Sequence, residues 1–431
     1  MNRNIAALLL TLLPSVAFAT DLRVYPSFTE VQQPAAAEVT FPFGAWRWIQ
    51  PGSFTVSGAI PAAISLQPAE LDWLRTQEGK SVTWVQPGQA PVQATFERAD
   101  DLLIKLSSGE YVNAGRAELA FSEKPPLQGG VTVKVAGLDT TKSANLLYRT
   151  GALFWKPRYE LTLNGTSASL SALAQISNLS DQPFNAQKVD LYGGSVQQQY
   201  QPTLTPVAYA ETTSVAGRTS SGVLAMAASS PIANDQIRSV GEVRGLQRYS
   251  LPGGLTIGRG ETRTLPFLQP KVSDFTRYAS VQSYFNGQGG AGSTNRHYKF
   301  TSSQSLPTGL VDVREAGLLV GSVQLPAVQA GKPVDLDLGA DTELRFEKTV
   351  KRTGQEKNEK GQVLSTSYQV TYSFTSTKQT ATKVSVREQL YARSVSVDGQ
   401  AAQNGQITIT RQVDVPAGGK ASLSFKLKVV N

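Results

Sequence analysis

His297 is the only histidine among 431 residues, and the chain contains no cysteine. Those two counts remove most familiar chemistries. A metal centre built on imidazoles needs two or three ring nitrogens. Thiolate zinc sites, iron–sulfur clusters, disulfides and cysteine nucleophiles all need sulfur that is missing. A Ser-His-Asp arrangement around His297 needs a partner serine, and no Gly-x-Ser-x-Gly elbow marks one. The histidine stands in Asn295-Arg296-His297-Tyr298-Lys299, just after the glycine-rich loop 287–292. A plain surface residue at the start of a strand is the simpler reading. Among carboxylates, Asp335-Leu336-Asp337 puts two acids on one face of a strand, with Asp341 nearby. A calcium loop needs further oxygen ligands at regular spacing and a closing glutamate, and neither follows. The pair also resembles the two carboxylates of a glycosidase, which makes a carbohydrate-active hydrolase the enzymatic alternative. Gly79-Lys80-Ser81 has Leu74 where a phosphate-binding loop needs its first glycine, and Gly258-Arg259-Gly260 lacks the third glycine of a dinucleotide fingerprint. No catalytic residue, metal site or cofactor is assigned on these grounds.

Charge and aromatic residues say more. The formal net charge is +8, from 41 Lys and Arg against 33 Asp and Glu. From Arg345 to the end there are 14 basic and 6 acidic residues, so the whole excess lies in the last fifth of the chain. Lys351, Arg352, Lys357 and Lys360 read as a mobile positive hairpin suited to a polyanion such as an acidic surface polysaccharide. A solvated hairpin that blocks strand aggregation is the plainer alternative. Trp46 and Trp48 alternate, as two residues on one strand face do, and exposed rings on a β-face can stack on sugars.

The elements that must hold these residues are strands. Ser81-Val82-Thr83-Trp84-Val85, Val131 to Val135, Tyr368 to Phe374 and Lys383 to Arg387 alternate apolar and polar side chains, the period of antiparallel sheets with one buried face. One short helix is predicted at 68–77, with Pro68 in its first turn, Leu71 and Leu74 on one face and Gly79 ending it. The fold class is therefore all-β, with several antiparallel β-sandwich or β-rich domains in series. The expected domains are 20–125, then 130–340 with a mobile Ala/Ser/Thr/Gly-rich insertion at 207–234, then a basic immunoglobulin-like sandwich at 341–431.

The N-terminus reads as an export signal: Arg3, an apolar run from Ile5 to Leu13, and Ala17-Phe18-Ala19 before a cut after Ala19. No later segment is long and apolar enough for a transmembrane helix. The expected location is the periplasm or outer cell envelope.

Leu147-Tyr148-Arg149-Thr150-Gly151-Ala152-Leu153-Phe154-Trp155-Lys156-Pro157-Arg158-Tyr159 resembles the uncharacterised bacterial family numbered 4139 among domains of unknown function, also called mucoidy-inhibitor-A-like. The likeness continues through Ile176 to Ser180, Val189 to Gly194, Tyr249 to Leu268, Leu306-Pro307-Thr308-Gly309 and Val384 to Leu390. The resemblance implies an exported β-rich protein associated with surface polysaccharide, and it brings no catalytic residues with it. The family's long N-terminal coiled coil has no counterpart here. Tyr148, Gly151, Trp155, Tyr159 and Asn178 read as structural: Trp155 and Tyr159 fall on one strand face as core anchors, and Gly151 and Asn178 fall at turns or bulges. The functional expectation is a non-enzymatic envelope protein that binds or organises a surface polymer or another envelope protein, with no nucleic acid as partner. A purely structural assembly subunit is the further alternative, and nothing in the sequence sets an oligomeric state.

Overall fold

The computed structural model describes residues 20–126, 129–139, 143–197, 237–400 and 403–430. The expected export signal and the expected mobile insertion at 207–234 lie outside the described residues. Strands dominate, as the alternation predicts. The chain forms two compact units, Met1–Lys156 with Ala174–Phe267, and Pro157–Leu173 with Leu268–Asn431. Each is discontinuous in sequence, where three consecutive regions were expected. The physical reason lies in ladders between distant segments. Asp21–Val24, for example, pairs in parallel with residues 188–191, so segments far apart in the sequence share one sheet.

In the first unit, the helix forms at Ala69–Arg75. Pro68 sits at its N-cap, where a missing N–H costs nothing. Gly79, at φ +83°, follows its end. The helix lays Leu74 on a core with Val82, Phe96 and Ile104 of a small five-stranded antiparallel sheet. The motif residues are central to the rest of this unit. Tyr148 is buried against Phe41 and Phe54, at ring distances of 5.1 and 5.5 Å. Trp155 is fully buried; its indole N–H donates to the Tyr192 carbonyl at 3.0 Å and its ring meets Phe267 edge-on.

Asn178 is 1% exposed and makes four side-chain hydrogen bonds. Its amide donates to the carbonyls of Gln182 and Gly258, and its oxygen accepts from the Ser180 N–H and hydroxyl. An asparagine offers two donors and two lone pairs, so this one is satisfied in full.

The second unit begins inside the strand Leu153–Asn164. Its segment Arg158–Leu163 pairs in parallel with Leu310–Glu315. Tyr159 is buried and its hydroxyl donates to the Pro307 carbonyl at 2.7 Å. A Cβ at Gly309 would stand 2.4 Å from the Pro157 carbonyl oxygen, so only glycine lets these two backbones meet.

A second sheet of this unit is made of β1 (Val272–Tyr284), β2 (Gly290–Ser302), β3 (Pro333–Lys357), β4 (Val363–Ser376), β5 (Thr382–Val397), β6 (Gln403–Val415) and β7 (Lys420–Val430). They are hydrogen-bonded in the order β1-β2-β3-β4-β7-β5-β6, and β1 also pairs in parallel with β5. The ladder therefore closes on itself around Leu344, Val370, Tyr372, Phe374, Val386 and Phe425. This corrects the immunoglobulin-like reading of 341–431: β1 and β2 belong to the same sheet, so the basic strands complete a closed structure that starts near residue 272. Closure removes most of the unpaired edge that an open sheet would leave exposed.

Candidate functional site

The register of β3, β4 and β7 builds the most distinctive surface of the second unit. Successive side chains on a strand point to opposite faces. Leu344, Val350, Val370 and Phe425 point into the core, so Arg345, Glu347, Thr349 and Lys351 point out. Across the ladder, Lys351 is level with Gln369 and Lys426, Thr349 with Thr371 and Ser424, and Arg345 with Thr375 and Lys420. Ser367 is level with Lys428. Five cations, Arg345, Lys351, Lys420, Lys426 and Lys428, thus share one outward face carpeted with Ser and Thr. The hydroxyls of Thr371 and Ser424 meet at 2.8 Å. Lys428 is tied to Glu356 at 2.6 Å. Arg345, Lys351, Lys420 and Lys426 are exposed and have no salt bridge among the described residues. Lys351 and Lys426 are two strands apart, about 10 Å, and Lys426 and Lys428 about 7 Å along one strand.

This arrangement departs from the predicted hairpin. Lys351 and Arg352 lie within the β3–β4 ladder, and only 358–362 forms the tip. Arg352 is level with Tyr368 and so belongs to the opposite face from Lys351. The tip itself is tied, since the Asn358 side-chain oxygen accepts from the N–H groups of Lys360 and Gln362 at 3.0 and 2.9 Å. Lys357 and Lys360 are exposed but not on the face of the five. Lys420, Lys426 and Lys428 were missed. Their signal was the Lys-x-Lys alternation of the last strand, which only the register joins to Lys351.

Trp46 and Trp48 do not form an exposed pair. Trp46 closes a one-turn helix, Phe43–Trp46, and is 5% exposed, with its ring stacked 6.2 Å from Phe54. Trp48 follows in the turn, half-buried, with the Arg47 guanidinium 5.4 Å from its ring centre. The spacing of two therefore reflects a turn and not a strand, and the sugar-stacking surface is withdrawn.

His297 has closer company than its sequence setting suggested. Its Nε2 lies 2.8 Å from the Ser280 hydroxyl and its Nδ1 3.1 Å from Asp335. Tyr278 stacks on its ring at 4.7 Å and donates its hydroxyl to Asp335. Burial, then that hydrogen bond, raises the Tyr278 pKa. Asn295 donates to Asp337 at 3.0 Å, so both acids of the 335–337 pair are engaged. The residue types are those of a serine hydrolase, but the backbone setting is not. Ser280 lies mid-strand in β1, laddered to Asn295 on one side and Ser385 on the other, and is 6% exposed. At Ser280 the strand runs in regular ladders on both sides, with no strained turn and no spare N–H for an oxyanion. The cluster is best described as a hydrogen-bonded clasp across β1, β2 and β3. Among the described residues no group of three or more His, Asp or Glu side chains is arranged to hold a metal ion, and no helix is long and apolar enough to cross a membrane.

No protein-family model and no curated protein matches the sequence.

Proposed function

We propose that this chain is a non-enzymatic, exported cell-envelope protein that binds an anionic surface polymer through the outward face of β3, β4 and β7. The observation that carries the reading is the alignment of five cations on one outward, hydroxyl-rich face that carries Glu347 as well, four of the cations without a salt bridge among the described residues. The open outer wall of a closed sheet suits an extended chain of repeating charges, whereas a compact ligand needs a concavity to bury it. Ser and Thr hydroxyls between the cations can donate to and accept from sugar hydroxyls. Exposed cations interact over roughly a Debye length, about 10 Å at moderate salt, which matches their spacing. The family resemblance suggests the association with surface polysaccharide, and the expected export signal suggests the compartment. The test is retention of the purified protein on an immobilised polyuronate and on a neutral glucan at rising salt. Retention on the polyuronate alone, fading with salt, is the expected result. No retention at low salt overturns the reading and turns attention to a protein partner in the envelope.

A further inference from the structure

The second unit also holds a cavity of about 420 Å³, distinct in its lining from the basic face. Arg277, Arg296 and Lys378 supply three cations to its wall, and Glu315 and Asp341 two anions. Four of these five charges are already paired. Arg277 donates to Glu315 at 2.7 Å, with its guanidinium 5.2 Å from the Phe275 ring and 5.8 Å from the Tyr298 ring. Tyr298 donates its hydroxyl to the other Glu315 oxygen at 2.7 Å. Asp341, 3% exposed, is held by Lys378 at 2.6 Å. Arg296 is the exception. It has no carboxylate partner among the described residues, its Nε is buried without a hydrogen bond, and one terminal nitrogen reaches only the Val320 carbonyl at 3.4 Å.

We infer that this cavity binds a single carboxylate-bearing sugar unit, with its carboxylate on Arg296. A guanidinium offers a planar fork that matches a carboxylate, and the lining's one uncompensated positive charge matches a monoanion better than a phosphate dianion. The half-buried rings of Phe275 and Tyr278 supply the apolar surface on which a sugar packs, and the volume falls in the range of small-ligand pockets. The hydroxyls of Thr380 and Thr382 are the donors and acceptors for sugar hydroxyls. The choice of a sugar over another carboxylate rests on the polymer-binding reading; the choice of a carboxylate rests on Arg296 alone.

The test is titration of the intact protein with glucuronate, glucose, a hexose phosphate and acetate, followed by calorimetry. The expected result is saturable binding of glucuronate, with the other three weaker by at least roughly tenfold. Arg296→Gln is expected to weaken glucuronate by roughly tenfold to a hundredfold, and Arg296→Lys to restore little of it, because the fork is lost. Neither change should alter retention on the polyuronate column. No saturable binding to the wild-type protein overturns the inference, with no variant needed. Equal affinity for acetate overturns the sugar, and equal affinity for the hexose phosphate overturns the monoanion. Retention on the column without glucuronate binding defeats the cavity assignment and leaves the polymer face standing; the reverse pattern defeats the face alone.

Discussion

Replacing Lys348 by Met should destabilise the second unit by about 3 to 5 kcal/mol. Lys348 is one of the 14 cations of the C-terminal region, yet it points inward from β3, with 4% of its side chain exposed against 0% for Glu388. Its ammonium donates to Glu388 at 2.6 Å and to the Ser283 hydroxyl at 3.0 Å, and lies 5.7 Å from the Phe285 ring. Tyr372 donates its hydroxyl to the other carboxylate oxygen. Removing the ammonium leaves a carboxylate in an apolar core with only hydroxyl partners, which accounts for the large cost. Glu388→Leu should cost about as much, because it strands the ammonium instead. Replacing both, with Tyr372→Phe so that the buried phenol is not orphaned and only the half-buried Ser283 hydroxyl must turn to water, should bring stability back to within about 1 kcal/mol of the original, since a packed apolar trio avoids the desolvation of two charges. The coupling between the two single changes is then several kcal/mol. Urea unfolding followed by tyrosine fluorescence measures each midpoint. Additive losses in the combined variant would refute the reasoning, because they would mean that neither charge depends on the other.

Two further outcomes follow from the buried groups. Asn178→Ala should cost the first unit about 2 to 4 kcal/mol, since it removes four hydrogen bonds at a buried position, among them the acceptor of the buried Ser180 N–H, and the thermal midpoint reads it. In an alkaline titration followed by phenolate absorbance, part of the 14 tyrosines should ionise late. Burial, reinforced by its bond to Glu315, moves Tyr298 from 10.0 up to about 12, and burial raises Tyr148, Tyr249, Tyr278 and Tyr372 as well. A phenol with a raised folded-state pKa holds its proton more tightly folded than unfolded. Its stabilising contribution is therefore whole below pH 10 and, for Tyr298, lost between pH 10 and about 12. A single transition near pH 10 for every tyrosine in the folded protein would contradict this.

Local patterns were legible because short-range physics sets them. Pro68 and Gly79 bracketed the helix, and the period of two in Leu153–Asn164 put Trp155 and Tyr159 on its buried face. What stayed hidden depended on pairing between distant segments. The alternation of Arg345, Glu347, Thr349 and Lys351 was readable, but only register brings Lys351 level with Lys426. Ser280 met His297 because Tyr278 and His297 are cross-strand partners, which no motif encodes. Trp46 was misplaced because Phe43-Gly44-Ala45-Trp46 is too short for a period to separate a strand from a helical turn. Lys348 shows the limit of counting charge, since one cation of the basic region is spent in the core.

The most direct test of the central claim is the polyuronate affinity of a variant carrying Arg345→Gln, Lys351→Gln, Lys420→Gln and Lys426→Gln. A matched control neutralises the exposed Arg47, Lys124, Lys156 and Arg259 of the first unit. Exposed cations contribute about 0.5 to 1 kcal/mol each at low salt, so the face variant should bind roughly 30- to 900-fold more weakly, with a flattened salt dependence, while the control changes little. Equal losses in the two variants would mean that net charge alone attracts the polymer, and would contradict the assignment of the face.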